Sequence, residues 1–407
     1  MKVLIIGGGP AGMIAAIAAS ECGSQAEIYE KNEKLGKKLF ISGKGRCNLT
    51  NASDMKTVMD SIVSNPRFMY GAFGKFSNEE IISLIESEGC PTKTERGERV
   101  FPVSDHSSDV IRALERRLKK DNVKIHLNEE VKGLLIKDGE CRGIKLAGGR
   151  EETADKVIIA TGALSYPSTG STGDGFRWAI YAGHKVVDTV PALVPLVTKE
   201  DVSGMMGLSL KNVRAAVKDG NRTLYEGFGE MLFTHFGVSG PLMLSASSYI
   251  TRKLKEHHDL SLSIDLKPAL DEEMLDARIL RDFGKNRNKV LRNSLGELLP
   301  SGLVAEVVGQ SGILPDKKVN EITRQERTQL LHALKSLNFT VTGTRGWNEA
   351  IITQGGVSTK EINPKTMESK LVKNLFFAGE VLDVDALTGG FNLQIAWSTG
   401  WSAGTEE

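Results

Sequence analysis

Three glycines at the spacing Gly7-x-Gly9-x-x-Gly12, followed by an acid at Glu30, are the residues of this chain whose types and order point most directly to chemistry. Glycine at the first position permits a tight turn, at the second lets backbone N–H groups approach a pyrophosphate, and at the third lets a helix pack closely on a strand. Pro10 and Ala11 open that helix, whose positive N-terminal pole favours phosphate. Glu30 ends the next strand, at the offset where a carboxylate hydrogen-bonds a ribose hydroxyl pair, and it disfavours a 2′-phosphate. The chemistry is dinucleotide binding. A glycine-rich turn without a ligand would leave the three glycines, both strands and the acid unexplained together.

One fingerprint of this kind holds NAD or FAD equally well, so other motifs must separate them. Val157-Ile158-Ile159-Ala160-Thr161-Gly162 is an apolar strand ending in Ala-Thr-Gly, and Leu375-Phe376-Phe377-Ala378-Gly379-Glu380 is another ending in Gly-Glu. Both look like sheet-terminating motifs of flavoproteins, the second with Glu380 where Asp is usual, so Glu380 and Asp383 stand as alternatives for one contact. Gly389-Gly390 open a last helix at Phe391, Asn392 and Leu393. Backbone N–H groups there suit the edge of a ring that gains negative charge on reduction, although an ordinary glycine-rich helix start has the same composition.

Side chains able to act chemically are fewer. Lys44 and Arg46 lie in the polar loop 36–51, GKKLFISGKGRCNLTN, as anion stabilisers or as plain solvent-facing cations. Cys47 in the same loop has no partner cysteine at useful spacing and reads as structural. His235, in FTHFGVSGP, is either a hydrogen-bonded core histidine or a substrate-side group. Tyr166 could donate to a substrate carbonyl or simply pack. His106, His184 and the pair His257-His258 receive no role. The cysteines Cys22, Cys47, Cys90 and Cys141 show no ligand spacing, so neither a metal site nor a disulfide framework is expected.

The elements that must position these groups follow from periodicity. Residues 78–89 and 107–120 have helical spacing, with Arg116, Arg117, Lys119 and Lys120 on a solvated face. VKIHL, VKGLLI and CRGIKLA read as a β-meander returning through KVIIATG to a parallel sheet. Residues 190–268 are rich in short strands, 271–336 in amphipathic helices. The expected class is α/β: a Rossmann-like nucleotide-binding domain from both chain ends, residues 1–189 and 355–407, around an insertion with a β part, 190–268 and 337–354, and a helical part, 269–336.

With 407 residues, 40% hydrophobic and 25% charged, the chain is an ordinary globular protein of more than one domain. Its formal net charge of +1 supplies no global pull toward nucleic acid or anionic membrane. Neither partner is expected, and the oligomeric state is left open. Met1-Lys2 followed at once by a core strand predicts a cytoplasmic protein.

The long runs ISGKGRCNLTN, FTHFGVSGP, TQGGVS and FFAGEVLDVDALTGGFNLQIAWSTG resemble, across essentially the whole chain, the bacterial flavoprotein family that includes aminoacetone oxidase and 3-dehydro-bile-acid reductase. The resemblance implies that the Rossmann-like domain from both chain ends is an FAD-binding domain and that the insertion is a β-barrel-like domain carrying a helical subdomain. It implies non-covalent FAD, contacted by Gly7, Gly9, Pro10, Ala11, Gly12, Glu30, Lys31, Lys38, Thr161, Gly162, Gly379, Glu380, Asp383 and Gly390 to Leu393. It puts Ser42, Gly43, Lys44, Gly45, Arg46, Cys47 and Asn48, and the turn Gly355-Gly356, near the flavin, and offers the backbone of Val131 to adenine. The activity it implies is NAD(P)H-dependent reduction of an activated C=C bond in a small, steroid-like enone, with the nicotinamide a transient donor because no second fingerprint exists. A peroxide-forming amine or aminoketone oxidase is the alternative, and an RNA-modifying flavoprotein, using Lys285, Arg287, Lys289 and Arg292, is an alternative of another class.

Overall fold

The computed structural model describes residues 1–256 and 259–405, so His257 and His258 lie outside the described residues. An unbroken apolar run suits the middle of a parallel sheet covered on both faces. Val3 to Ile6 supply it in β1 (Lys2–Ile6), which leads into α1 (Pro10–Glu21) and returns in parallel as β2 (Gln25–Glu30), with Ile5 opposite Ile28. Three later strands complete the sheet: β3 (Lys124–Leu127), β4 (Lys156–Ile159) and β5 (Leu375–Phe377), in the order β5-β4-β1-β2-β3 and parallel throughout. A Rossmann-type layer drawn from both ends of the chain is therefore what this sequence builds.

The last helix, α2 (Phe391–Gly404), closes the layer against α1. Both helices are buried on nearly every side, α1 by apolar residues and α2 with Gln394, Ser398, Thr399 and Ser402 among its buried positions. Their contact requires glycine: a Cβ on Gly400 would stand 2.4 Å from the Ala11 carbonyl oxygen, and one on Gly404 2.3 Å from that of Ala15. Trp397, fully buried, fixes the other side of α2 by donating its indole N–H to the Leu49 carbonyl at 2.9 Å.

The chain divides into two compact units, Met1–Pro191 with Trp347–Glu407, and Ala192–Gly346. The second contains a closed barrel of the strands Leu196–Thr198, Gly237–Ser239, Arg222–Phe233, Ser209–Asp219, Leu260–Asp265 and Leu337–Thr344 in that order. Helices Glu272–Lys285, Ser301–Ser311 and Arg324–Lys335 share one hydrophobic core with it. Residues 347–354 group with the first unit instead of the insertion, because strand Ile352–Val357 pairs with Val186–Ala192.

Two local expectations differ from the fold. VKIHL is the edge strand β3 of the parallel sheet, since Lys124 to Leu127 pair with Glu27 to Glu30. The antiparallel meander is Val131–Lys137, Glu140–Leu146 and Glu151–Thr153. The cationic face of helix Ser107–Lys120 is not merely solvated: Arg116 donates to the Glu88 carbonyl, Arg117 pairs with Asp121 and Glu21, and Lys120 with Glu88. Among the described residues no helix is long and apolar enough to cross a membrane.

The glycine contact is directly testable. Gly400→Leu forces side-chain atoms onto the α1 backbone and is expected to cost about 2–3 kcal/mol, the usual penalty of overpacking, read as a thermal midpoint lowered by several degrees. Gly74→Ala, on a helix where a Cβ would meet nothing within 4 Å, is expected to leave the midpoint unchanged or raise it.

Candidate functional site

The chain leaves β1 through Gly7 at φ +106°, where a Cβ would stand 2.5 Å from the Ala160 carbonyl oxygen. Gly12 supports the same turn from behind, since its Cβ would stand 1.9 Å from the Gly7 carbonyl oxygen. Gly9 is different. It is extended, at φ −82° and ψ −174°, and a Cβ there would meet nothing within 4 Å. The space outside Gly9 is thus open, and α1 begins at it with no side-chain cap on its first-turn N–H groups.

A second uncapped helix start borders the same cleft. α2 begins after Gly390, at φ +100°, again without a side-chain cap. Asn392 and Leu393 line the cleft together with Gly7, Gly9, Pro10 and Ala11. The Asn392 side chain is spent on its own loop, accepting from Ala386 N–H at 2.9 Å and donating to the Ala386 carbonyl at 2.7 Å. What both starts offer a ligand is backbone N–H.

Glu30 and Lys31, Lys38 and Ser42, Val131, Thr161 and Gly162, and Gly379 and Glu380 also line the cleft, together with Tyr166. Each charged member is tied down. Glu30 accepts Gly8 N–H at 2.7 Å on one oxygen, and Asn32 N–H at 2.8 Å and its amide at 2.7 Å on the other, so it orders the glycine turn from below. Lys31 bonds Thr172 at 2.7 Å and Asp174 at 2.6 Å. Burial would raise the Asp174 carboxyl, but Lys31, Thr172 and Arg177 outweigh it and hold the group below the ordinary carboxylate range. Lys38 pairs with Glu380, and Ser165 bridges the two. Thr353 completes this knot: its N–H donates to Glu380 at 2.8 Å, and its hydroxyl accepts from Leu164 and Ser165 N–H at 3.0 and 3.1 Å.

Tyr166 stands out by conformation. A bulky residue at φ +51° and ψ +61° is a backbone outlier, held here by its N–H to the Trp347 carbonyl and by Thr169, which donates to the Tyr166 carbonyl from both N–H and hydroxyl. Among the described residues its phenol has no hydrogen-bond partner, and burial, with the charge of Glu349, raises its pKa.

The loop 43–48 does not line the cleft. Arg46 is neutralised by Glu95 at 2.5 Å and Asp105 at 2.6 Å and lies 4.2 Å over the Phe101 ring, so it has no charge left for a phosphate. Lys44 is exposed in a left-handed turn between Gly43 and Gly45. Cys47 is fully enclosed, which pushes its thiol up to about 12. Asn48, with its amide turned to satisfy both neighbours, bridges the Thr50 carbonyl and Gly390 N–H and so steadies the start of α2. Gly355 and Gly356 serve strand contacts instead: a Cβ would stand 2.4 Å from the Asp188 carbonyl oxygen and 2.7 Å from that of Val381. Asp383 points elsewhere, accepting from Asn65 at 3.0 Å, and Phe391 is buried in the core. His235, in the second unit, is exposed with its ring edge-on to Phe236, and so is not a core histidine. Ser165, Thr353 and Ile352 carry no glycine or charge signature, and the sequence pattern passed over them.

FAD suits these residues: two uncapped helix starts, open space at Gly9 and an apolar wall including Leu39, Ile351 and Ile352 fit an anionic, ring-bearing dinucleotide. Among the described residues no cluster could hold a metal ion.

Residues 1–406 match the family described as HI0933-like protein Rossmann domain. The chain is 32% identical over 409 residues to the 3-dehydro-bile acid delta(4,6)-reductase of Clostridium scindens, covering 99% of this chain and 98% of that one. It is 31% identical over 406 residues to the ribosomal RNA dihydrouridine synthase of Haemophilus influenzae, covering 98% and 96%. A 3-ketosteroid delta1-dehydrogenase from Sterolibacterium denitrificans shares the fold with a TM-score of 0.53 at 13% identity, over 99% of this chain and 98% of that one.

The burial of the thiols gives an expected outcome. A thiol reagent at pH 8 is expected to label exposed Cys22 quickly, while Cys47, Cys90 and Cys141 react only after unfolding. Rapid labelling of Cys47 in folded protein, read by peptide mass, would contradict the enclosed loop.

Proposed function

This chain belongs to the HI0933-like protein family and is an FAD-dependent oxidoreductase, and from that premise we propose that it adds two hydrogens across a C=C bond conjugated to a ring carbonyl, with a nicotinamide as electron donor. The observation that carries the reading is the cleft with two uncapped helix starts in a chain related end to end to a reductase. The other relative's name adds to it. A 3-dehydro steroid with 4,6 unsaturation and the uracil ring of uridine differ in size and polarity, yet each presents a C=C bond conjugated to a carbonyl. A steroid-like enone and a uridine of ribosomal RNA are therefore the two substrate carriers to test.

In this reading Gly7, Gly9, Pro10 and Ala11, backed by Gly12, hold the pyrophosphate with α1. Glu30 and Val131 border the adenosine end. Lys38, Gly379 and Glu380 bind the central chain, while Asn392 and Leu393 offer N–H groups to the ring edge that becomes anionic. Reduced FAD, when bound, supplies a hydride for the β-carbon of the enone. Tyr166 supplies the matching proton to the α-carbon: its phenol is free of hydrogen bonds among the described residues, and its raised pKa keeps the proton available at neutral pH. The left-handed backbone that aims it is the strain a positioned donor would carry.

Anaerobic holoprotein is expected to bleach on addition of NADH or NADPH and to recolour faster with a cyclic enone or uridine-containing RNA than with air. Bleaching by aminoacetone, with peroxide released on admitting air, would instead make it an oxidase. Tyr166→Phe is expected to lower kcat about 100-fold or more with flavin content unchanged. Because the tyrosine pKa is raised, activity dependent on its proton persists as pH rises through 10, the ordinary tyrosine value, and falls only above it. An alkaline limb unaltered by Tyr166→Phe, with kcat preserved, would remove this role.

A further inference from the structure

We propose that the second unit carries a phosphodiester-binding face, formed by Arg287, Lys289, Arg292 and Lys318, through which an RNA substrate is held. The inference rests on the C=C reductase reading and selects its RNA arm. Positions 285–292, Lys-Asn-Arg-Asn-Lys-Val-Leu-Arg, contain no acid. Such a run on one helix would be an ordinary solvated face, balanced by acids three or four residues away. Lys285 has an acidic partner in Glu297 at 3.3 Å, but the fold removes that explanation for the cations after it. Helix Glu272–Lys285 ends at the first of these cations, Arg287 and Lys289 occupy the turn that follows, and Arg292 belongs to the next short helix, Leu291–Ser294.

A second segment adds to the patch. Val290 and Lys318 form an antiparallel bridge, fixed by Leu291 N–H to the Lys317 carbonyl at 2.9 Å and Val319 N–H to the Lys289 carbonyl at 3.1 Å. This sets Lys318 opposite Val290, whose chain neighbour is Lys289. Arg287, Lys289 and Lys318 are exposed, and among the described residues their side chains have no ion-pair or hydrogen-bond partner. Arg292 meets only Asp316, in a pair more than half exposed on both sides. Such a pair contributes little and exchanges readily for phosphate. Elsewhere in this unit several better-covered cations are matched: Arg278 with Asp282, Arg327 with Asp276, Lys335 with Asp265.

The composition selects the partner. A membrane surface would be met by a helix with several large apolar side chains, whereas Leu314, 73% exposed, is the large apolar residue this hairpin presents. A protein partner would be expected to find aromatic anchors, and none stands among 285–292 or 313–319. Without aromatic rings the face is dominated by cationic groups, which suit the backbone phosphates of folded RNA regardless of sequence. The near-neutral chain as a whole makes the local patch, and not net charge, the source of affinity.

The test uses the flavin-loaded protein, unmodified ribosomal RNA made by transcription, and a soluble cyclic enone. Filter binding across a salt series and mass spectrometry of dihydrouridine are measured for wild type, for the triple variant Arg287→Glu, Lys289→Glu, Lys318→Glu, and for the corresponding triple alanine variant. Expected are wild-type binding that weakens steeply with salt, a loss of at least tenfold in both variants, a salt slope flattened by about one per phosphate contact removed, and unchanged turnover of the enone. Wild type that forms dihydrouridine while both variants bind and modify RNA equally would overturn the face and spare the reductase reading. Wild type that reduces the enone but neither binds nor modifies RNA at low salt would overturn the RNA arm with it. Binding to phosphatidylserine vesicles but not to RNA would replace the proposed partner with a membrane. No reduction of either substrate would remove the reductase reading itself.

Discussion

The close approach of three backbones, β1 to α1 and α1 to α2, is the constraint on which the rest depends. Gly7, Gly12, Gly400 and Gly404 each stand where a Cβ would lie within about 2.5 Å of a carbonyl oxygen. A side chain at Gly400 or Gly404 pushes the first and last helices of the chain apart, one at Gly12 pushes α1 off the turn after β1, and one at Gly7 meets the Ala160 backbone. Because they are glycine, both helices begin beside one cleft, and each leaves its first-turn N–H groups without a side-chain partner. Each such start carries roughly half a positive charge. The packing that stabilises the first unit is thus also what concentrates anion-binding backbone in one place.

Against that backbone, the charged side chains of the cleft hold the protein together more than they reach outward. Lys38, Glu380, Ser165 and Thr353 knot four segments distant in sequence. Glu30 fixes the glycine turn, and Lys31 fixes Asp174. Such a site recognises its ligand by shape and by fixed dipoles, which need no rearrangement when charge moves on reduction. Tyr166 is the exception, a residue in left-handed backbone whose hydroxyl has no hydrogen-bond partner among the described residues.

The parts of this arrangement that depend on backbone sterics were legible in the sequence. The glycine fingerprint, the Ala-Thr-Gly strand end and the glycine-opened last helix each announce a local need, and they placed the Rossmann-type layer at both chain ends. Side-chain partnerships were not legible in the same way. Arg46 reads as a phosphate ligand until Glu95 and Asp105, supplied by segments about fifty residues on, are seen to claim it. Gly355-Gly356 reads as a cofactor turn, whereas the neighbouring backbones of Asp188 and Val381 require it. VKIHL has the alternation of a meander strand, and only its pairing with β2 reveals a sheet edge. Ser165 and Thr353 matter through hydrogen bonds to each other and to Glu380, information that no single residue type carries.

The most direct test of this account is the flavin content of Gly9→Leu. Gly9 is extended and its side-chain space is empty, so the substitution is expected to leave the fold intact while filling the room that the pyrophosphate needs. The predicted result is a colourless protein with the circular dichroism of wild type and the melting transition of flavin-stripped wild type. A folded Gly9→Leu protein that remains as yellow as wild type would mean that the dinucleotide lies elsewhere, and the assignment of this cleft would be wrong.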